Sequence, residues 1–183
     1  MRRFESTIPG DDPMSITMYS ASVPIFLRML ENCGHWLDKA EAHAQAKKFD
    51  PVVYLSTRLA PDMLPFTNQI QIACDGAKFA IARLADLEAP KFDDTEVTLA
   101  DLRERLRATS AFIKSVPAAK LEGTDDKDVT IPRRAGPLTL KGEAYLKHFA
   151  LPNFFFHMTT AYALLRHNGV ELGKTDFLGA IQQ

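Results

Sequence analysis

Apolar residues along the chain fall into four helical stripes. From Ser22 to about Ala46, Phe26, Leu30, Cys33, Leu37, Ala40 and Ala44 recur at steps of three and four, which predicts an amphipathic helix with Ser22 as its N-cap. The opposite side carries Glu31, His35, Asp38, Lys39 and Lys47, a solvated face. Phe49 to Pro61, with two prolines around Val52, Val53, Tyr54 and Leu55, reads as a packed connection. A second helix is expected from about Asp62 to Leu87, with Ile70, Ala73, Cys74, Ala77, Ala80, Ile81, Leu84 and Leu87 on one face and Pro65 in the first turn. Thr98 with Asp101 opens a third helix through a capping box, and Leu102, Leu106, Thr109, Phe112, Ile113 and Val116 continue its stripe to near Pro117.

The period then changes from three-and-four to two. Val129-Thr130-Ile131 and Leu138-Thr139-Leu140 alternate around the connection from Pro132 to Pro137, predicting a small β-ribbon that must lie against the helices to be stable. The last long helix starts near Gly142 and is interrupted at Leu151-Pro152. It resumes through Phe154, His157, Met158, Ala161, Tyr162, Leu164 and Leu165, with Gly169 at the C′ position. A short tail carrying Phe177 and Leu178 returns over the fold. The expected fold class is all-α: an antiparallel four-helix bundle with a β-ribbon or extended excursion before the last helix. Residues 1–13 are expected to be a flexible extension and 14–183 a single domain.

Composition narrows the function classes. A chain of 183 residues with 46% hydrophobic and 25% charged residues supports one core without disulfides or a structural metal. The net charge of −1 and the absence of any long Lys/Arg run argue against nucleic-acid binding. No apolar run approaches the roughly 18 residues of a membrane span, and the N-terminal stretch lacks the apolar core of a secretory signal, so a cytoplasmic protein is expected. Cys33 and Cys74 lie on apolar stripes without metal-type spacing and are expected to be core thiols.

Gly169 to Thr175 ends in Gly-Lys-Thr but is one residue short of a phosphate loop and follows a helix instead of a strand, so it reads as a turn. Among the five histidines no pair has the i,i+3 or i,i+4 spacing that aims two rings at one ion. His35 and His43 read as surface residues, His167 as a helix-end cation and His148 as a loop-proximal residue without an assigned role. His157 shares its stripe with Phe154, Ala161 and Leu165 and should point inward, where an imidazole needs a partner.

On the second helix Gln71 and Asp75 are i,i+4 neighbours on one edge, beside Asn68 and Gln69. Facing the last helix, Gln71, Asp75 and His157 would form either a polar site, with Asp75 raising the imidazole pKa for acid/base work, or a structural network fixing helix register. The triplet Phe154-Phe155-Phe156 spans more than half of a helix circumference, so at least one ring must meet the ribbon, the tail or a second copy; a homodimer is expected.

Three segments carry a resemblance: Asn68-Gln-Ile-Gln-Ile-Ala-Cys-Asp75, then Leu151-Pro-Asn-Phe-Phe-Phe-His157 with Thr160-Ala-Tyr162, and Leu165-Arg-His-Asn-Gly-Val170 with Gly173-Lys174-Thr175-Asp176-Phe177-Leu178-Gly179. They resemble the domain-of-unknown-function family nineteen ninety-three, over roughly Tyr19 to Gly179, which is grouped with the DinB/YfiT-like four-helix bundles. That resemblance implies the bundle fold and dimers. It also implies a divalent metal held by three histidines, one from the second helix and two from an H-x-x-x-H pair on the last, in relatives that include thiol-dependent transferases and hydrolases. His157 matches the first position of that pair, Ala161 stands at the second, and the second-helix position falls on Gln69 or Gln71.

The sequence therefore leads to a small-ligand-binding or otherwise uncharacterised DinB-like protein without a complete metal site. Its candidate pocket is Gln71, Asp75, His157 and Tyr162, and no cofactor is expected. The alternative is a metal-dependent transferase or hydrolase using His157 with Zn, Ni or Mn.

Overall fold

The structure is a computed structural model and describes residues 16–180; the extension expected at 1–13 lies outside the described residues. Helix α1 runs over Val23–Lys47, α2 over Phe66–Ala85 and α3 over Leu99–Ser115. Strands β1 (Asp128–Ile131) and β2 (Leu138–Lys141) form an antiparallel hairpin. A four-residue helix α4 (Gly142–Tyr145) leads through a π-helical turn, Leu146–Ala150, into α5 (Leu151–His167), and the short α6 (Lys174–Leu178) closes the described chain.

The expected bundle forms from α1, α2, α3 and α5. Helix α2 packs chiefly on α5 and α3, and α1 packs on α3, α5 and α6, whereas α1 and α2 barely meet. These two helices are consecutive in the chain but sit across the bundle's diagonal. The connection between them, residues 48–65, is long enough for that crossing and includes a 3-10 turn at Pro51–Tyr54 that buries Tyr54.

The helix ends show which local signals held. Thr98 and Asp101 make the expected capping box, the Asp101 N–H donating to Thr98 Oγ1 at 3.1 Å and the Thr98 N–H to Asp101 Oδ2 at 2.9 Å. Ser22 does stand before α1, but its hydroxyl donates back to the Met18 carbonyl at 2.5 Å instead of capping. Helix α2 begins later than expected: Pro65 is extended at the N-cap, outside the first turn.

The interruption expected at Leu151-Pro152 takes the form of a π turn, after which α5 starts at Leu151 with Pro152 in its first turn. The π turn just before it lets the Leu151 N–H reach the Leu146 carbonyl, and the wider turn accommodates a ring that lacks an N–H and crowds the preceding turn. Gly142 opens this helix where only glycine fits, since a Cβ there would lie 1.8 Å from the Thr124 carbonyl oxygen. The hairpin buries Val129 and Ile131 against the helices and pairs Thr130 with Thr139 on its outer face at 2.9 Å.

The tail is fixed by α1. Trp36, fully buried, stacks on Phe177 with centroids 5.6 Å apart, meets Tyr162 edge-on, and donates its indole N–H to the Asp176 carbonyl at 2.9 Å. Of the phenylalanine triplet, Phe154 is in the core, edge-on to Phe26. Phe155 turns toward Phe177 and Leu178 of the tail, and Phe156 is 58% exposed.

Candidate functional site

His157 sits on the inward stripe of α5 between Phe154 and Ala161 and is 8% exposed. Its partner is Gln69 of α2: Nδ1 lies 2.7 Å from Gln69 Oε1, and Gln69 Nε2 donates to the Leu64 carbonyl at 2.9 Å. This chain of bonds fixes the proton. The Leu64 carbonyl only accepts, so the Gln69 NH2 must face it, its oxygen must accept from the ring, and His157 carries its proton on Nδ1. Burial moves the ring's pKa down from 6.5, so at neutral pH it is uncharged. Nε2, without a hydrogen-bond partner among the described residues, presents a lone pair that can accept a hydrogen bond or a proton. Phe156 stands edge-on to the ring at 5.2 Å and is itself exposed.

The expected grouping of His157 with Gln71 and Asp75 does not form. Positions 69 and 71 differ by about 200° around a helix of 3.6 residues per turn, so with Gln69 toward α5, Gln71 and Asp75 turn toward α3. The aspartate expected to raise the imidazole pKa is thus elsewhere, and desolvation lowers it instead. Tyr162, five residues after His157 and about 140° round the helix, belongs to the Trp36–Phe177 aromatic cluster.

Gln71 and Asp75 join a second network. Gln71 accepts from Asn68 at 2.7 Å and donates to Glu96 at 2.7 Å. Arg105, on α3 and only 2% exposed in its side chain, reaches Glu96 at 2.8 Å, Asp94 at 2.9 Å and Asp75 at 3.1 Å. Lys78, equally buried, pairs with Asp75 at 2.8 Å and lies 4.0 Å from the centre of the Phe92 ring. Burial pushes the Glu96 carboxyl up, but hydrogen bonds from Arg105 and Gln71 outweigh it and hold the group below the usual range. This network ties α2, α3 and their connection together.

Neither Arg105 nor Lys78 stood out in the sequence. The available signal was a cation on an apolar stripe, Arg105 between Leu102 and Thr109 and Lys78 between Cys74 and Ile81. Cys33 and Cys74 are buried as expected, and burial pushes the Cys74 thiol up to about 12, which leaves it protonated and unreactive.

His35, His148 and His167 are exposed. His43 is not the surface residue expected: it is half-buried, its Nδ1 2.6 Å from the hydroxyl of buried Tyr54. The solvated-face reading missed it because the partner comes from the connection, where no helical periodicity applies. In the Gly169–Thr175 turn the Asp176 carboxylate accepts the Gly173 N–H at 2.8 Å, so the first turn of α6 already holds its own anion.

A three-histidine metal site does not fit these residues. Ala161 offers a buried methyl group, and Gln69 commits its oxygen to His157 Nδ1 and its nitrogen to Leu64. Among the described residues no group of three His, Cys, Asp or Glu side chains comes together in a way that could hold an ion. Nε2 of His157 is a single donor without company.

Fold and site together define a DinB-like four-helix bundle with one oriented, neutral imidazole between its second and last helices. The sequence pattern described as Domain of unknown function (DUF1993) matches residues 18–178, and the chain belongs to that family. It is similar to the crystal structure of a DinB family member protein from Shewanella denitrificans, with 43% sequence identity, a TM-score of 0.86, and coverage of 91% of this chain and 94% of that one. No curated protein matches the chain in sequence. No helix among the described residues is long and apolar enough to cross a membrane.

Proposed function

We propose that this protein binds a small ligand without a metal, using His157 as the polar handle of a degenerate metal site. The observation that carries the reading is the relay His157 Nδ1–Gln69–Leu64. It occupies the glutamine, fixes the tautomer and leaves Nε2 as a hydrogen-bond acceptor on a ring flanked by Phe156. A ligand suited to this handle brings one donor, a hydroxyl, thiol or N–H, on an apolar body. Gln71, Asp75 and Tyr162 act at a distance from it, through the α2–α3 network and the tail cluster.

The test is metal content by plasma mass spectrometry of untagged protein, wild type and His157→Ala, before and after incubation with Zn²⁺, Ni²⁺ and Mn²⁺. Both are expected to be free of stoichiometric metal. A stoichiometric ion present in the wild type and lost in His157→Ala would overturn the reading in favour of a metal-dependent transferase or hydrolase. Association into a homodimer through the face bearing exposed Phe156 belongs to the same proposal, and a single-chain mass by light scattering at every concentration would remove that part.

A further inference from the structure

His43 is the second oriented imidazole, and it faces the opposite way in chemical terms. Tyr54 is 1% exposed, and its hydroxyl has His43 Nδ1 as its partner among the described residues, at 2.6 Å. A buried hydroxyl that did not donate here would leave its hydrogen unsatisfied, so Tyr54 donates, Nδ1 accepts, and the ring presents an N–H at Nε2. The Nε2–Cε1 edge lies over Gly169, where a Cβ would come within 3.5 Å of both ring atoms. The glycine, at φ +90°, serves as the C′ residue of α5 and also leaves this N–H uncovered.

The edge opens into a groove of ≈ 520 Å³ between the last turns of α1 and the segment after α5, floored by Ala42, Ala46 and Gly169. Its polar lining is dominated by donors. Besides the His43 N–H there are Lys47, which forms no ion pair among the described residues, and Lys39, whose Nζ is held by the Asp176 carboxylate at 2.7 Å and the Glu171 carbonyl at 3.2 Å. Glu171 is the one acidic residue on the lining. We propose that this groove is a binding site for a small oxyanion, a carboxylate or a phosphate, which accepts the His43 Nε2–H and the Lys47 ammonium while its body rests on the alanine floor. Selection comes from the arrangement of donors, since the charges around the groove nearly cancel. The site is separate from His157 and does not depend on the reading given there.

The experiment titrates sodium acetate and, separately, inorganic phosphate into the full chain at matched ionic strength, following the imidazole signals of His43 by NMR. At least one of the two is expected to give saturable shifts at His43 with His157 unmoved, and the one that saturates identifies carboxylate or phosphate as the ligand chemistry. Ala46→Trp, an exposed helix position whose indole would fill the groove, is expected to abolish the shifts, and Lys47→Ala to weaken binding about tenfold. Shifts that rise linearly for both anions, or that are the same in wild type and Ala46→Trp, would overturn the proposal.

Discussion

His157 and His43 are the same residue type on facing elements of one bundle, and they hold their protons on opposite nitrogens. At His157 the partner of Nδ1 is an amide oxygen that must accept, so the exposed nitrogen is an acceptor. At His43 the partner of Nδ1 is a buried hydroxyl that must donate, so the exposed nitrogen is a donor. The residue bonded to the inner nitrogen decides what the outer one offers a ligand, and neither partner sits at a helical spacing from its histidine.

The strongest way to sharpen this comparison is to disturb the molecule where neither histidine takes part. Arg105→Ala leaves Glu96 without its buried cation and Asp75 with Lys78 alone, and is expected to cost about 3–5 kcal/mol by chemical denaturation. The tautomers of His157 and His43 should persist in the folded fraction; a change in either would show that the histidines depend on the α2–α3 network. Gln69→Leu breaks the contrast at one end. It strands the His157 N–H and leaves the Leu64 carbonyl without its donor, for an expected loss of about 1–3 kcal/mol and of the fixed proton on Nδ1. Gln71→Leu, two residues along, should leave the His157 spectrum alone.

Tyr54→Phe breaks it at the other end, at about 0.5–1.5 kcal/mol, and should allow His43 to populate both tautomers. The smallest effect is on pH dependence. The folded pKa of His157 lies below 6.5, so the stability associated with the neutral ring is complete above 6.5. It is lost as pH falls, because the unfolded chain takes up the proton first. Denaturation midpoints of wild type and His157→Asn, compared between pH 7.5 and 5.5 (values chosen on either side of the unperturbed range, about 6.5), should show a steeper decline in the wild type. Parallel profiles would mean the ring is not desolvated.

Periodicity and capping made the helices, the hairpin and the inward direction of His157 readable from sequence alone, because each depends on residues three, four or two apart. The connections were less readable. Tyr54 comes from a 3-10 turn, Leu64 offers a backbone carbonyl, and Glu96 lies in a stretch without regular structure. These supply the partners that decide proton positions and buried ion pairs. The choice between Gln69 and Gln71 turned on which side of α2 meets α5, a packing question that a stripe as broad as that of α2 leaves open. Pro152 marked the interruption of the last helix, but not its form, since a π turn depends on packing around Leu146–Ala150 and has no spacing of its own in the sequence.

The most direct measurement is the imidazole ¹⁵N–¹H correlation spectrum of the full chain at neutral pH, recorded before and after addition of Zn²⁺. The account predicts a proton on Nδ1 of His157 and on Nε2 of His43, with the His157 pattern unchanged by the ion. A His157 ring that carries its proton on Nε2, or whose Nε2 resonance moves on stoichiometric Zn²⁺, would contradict it.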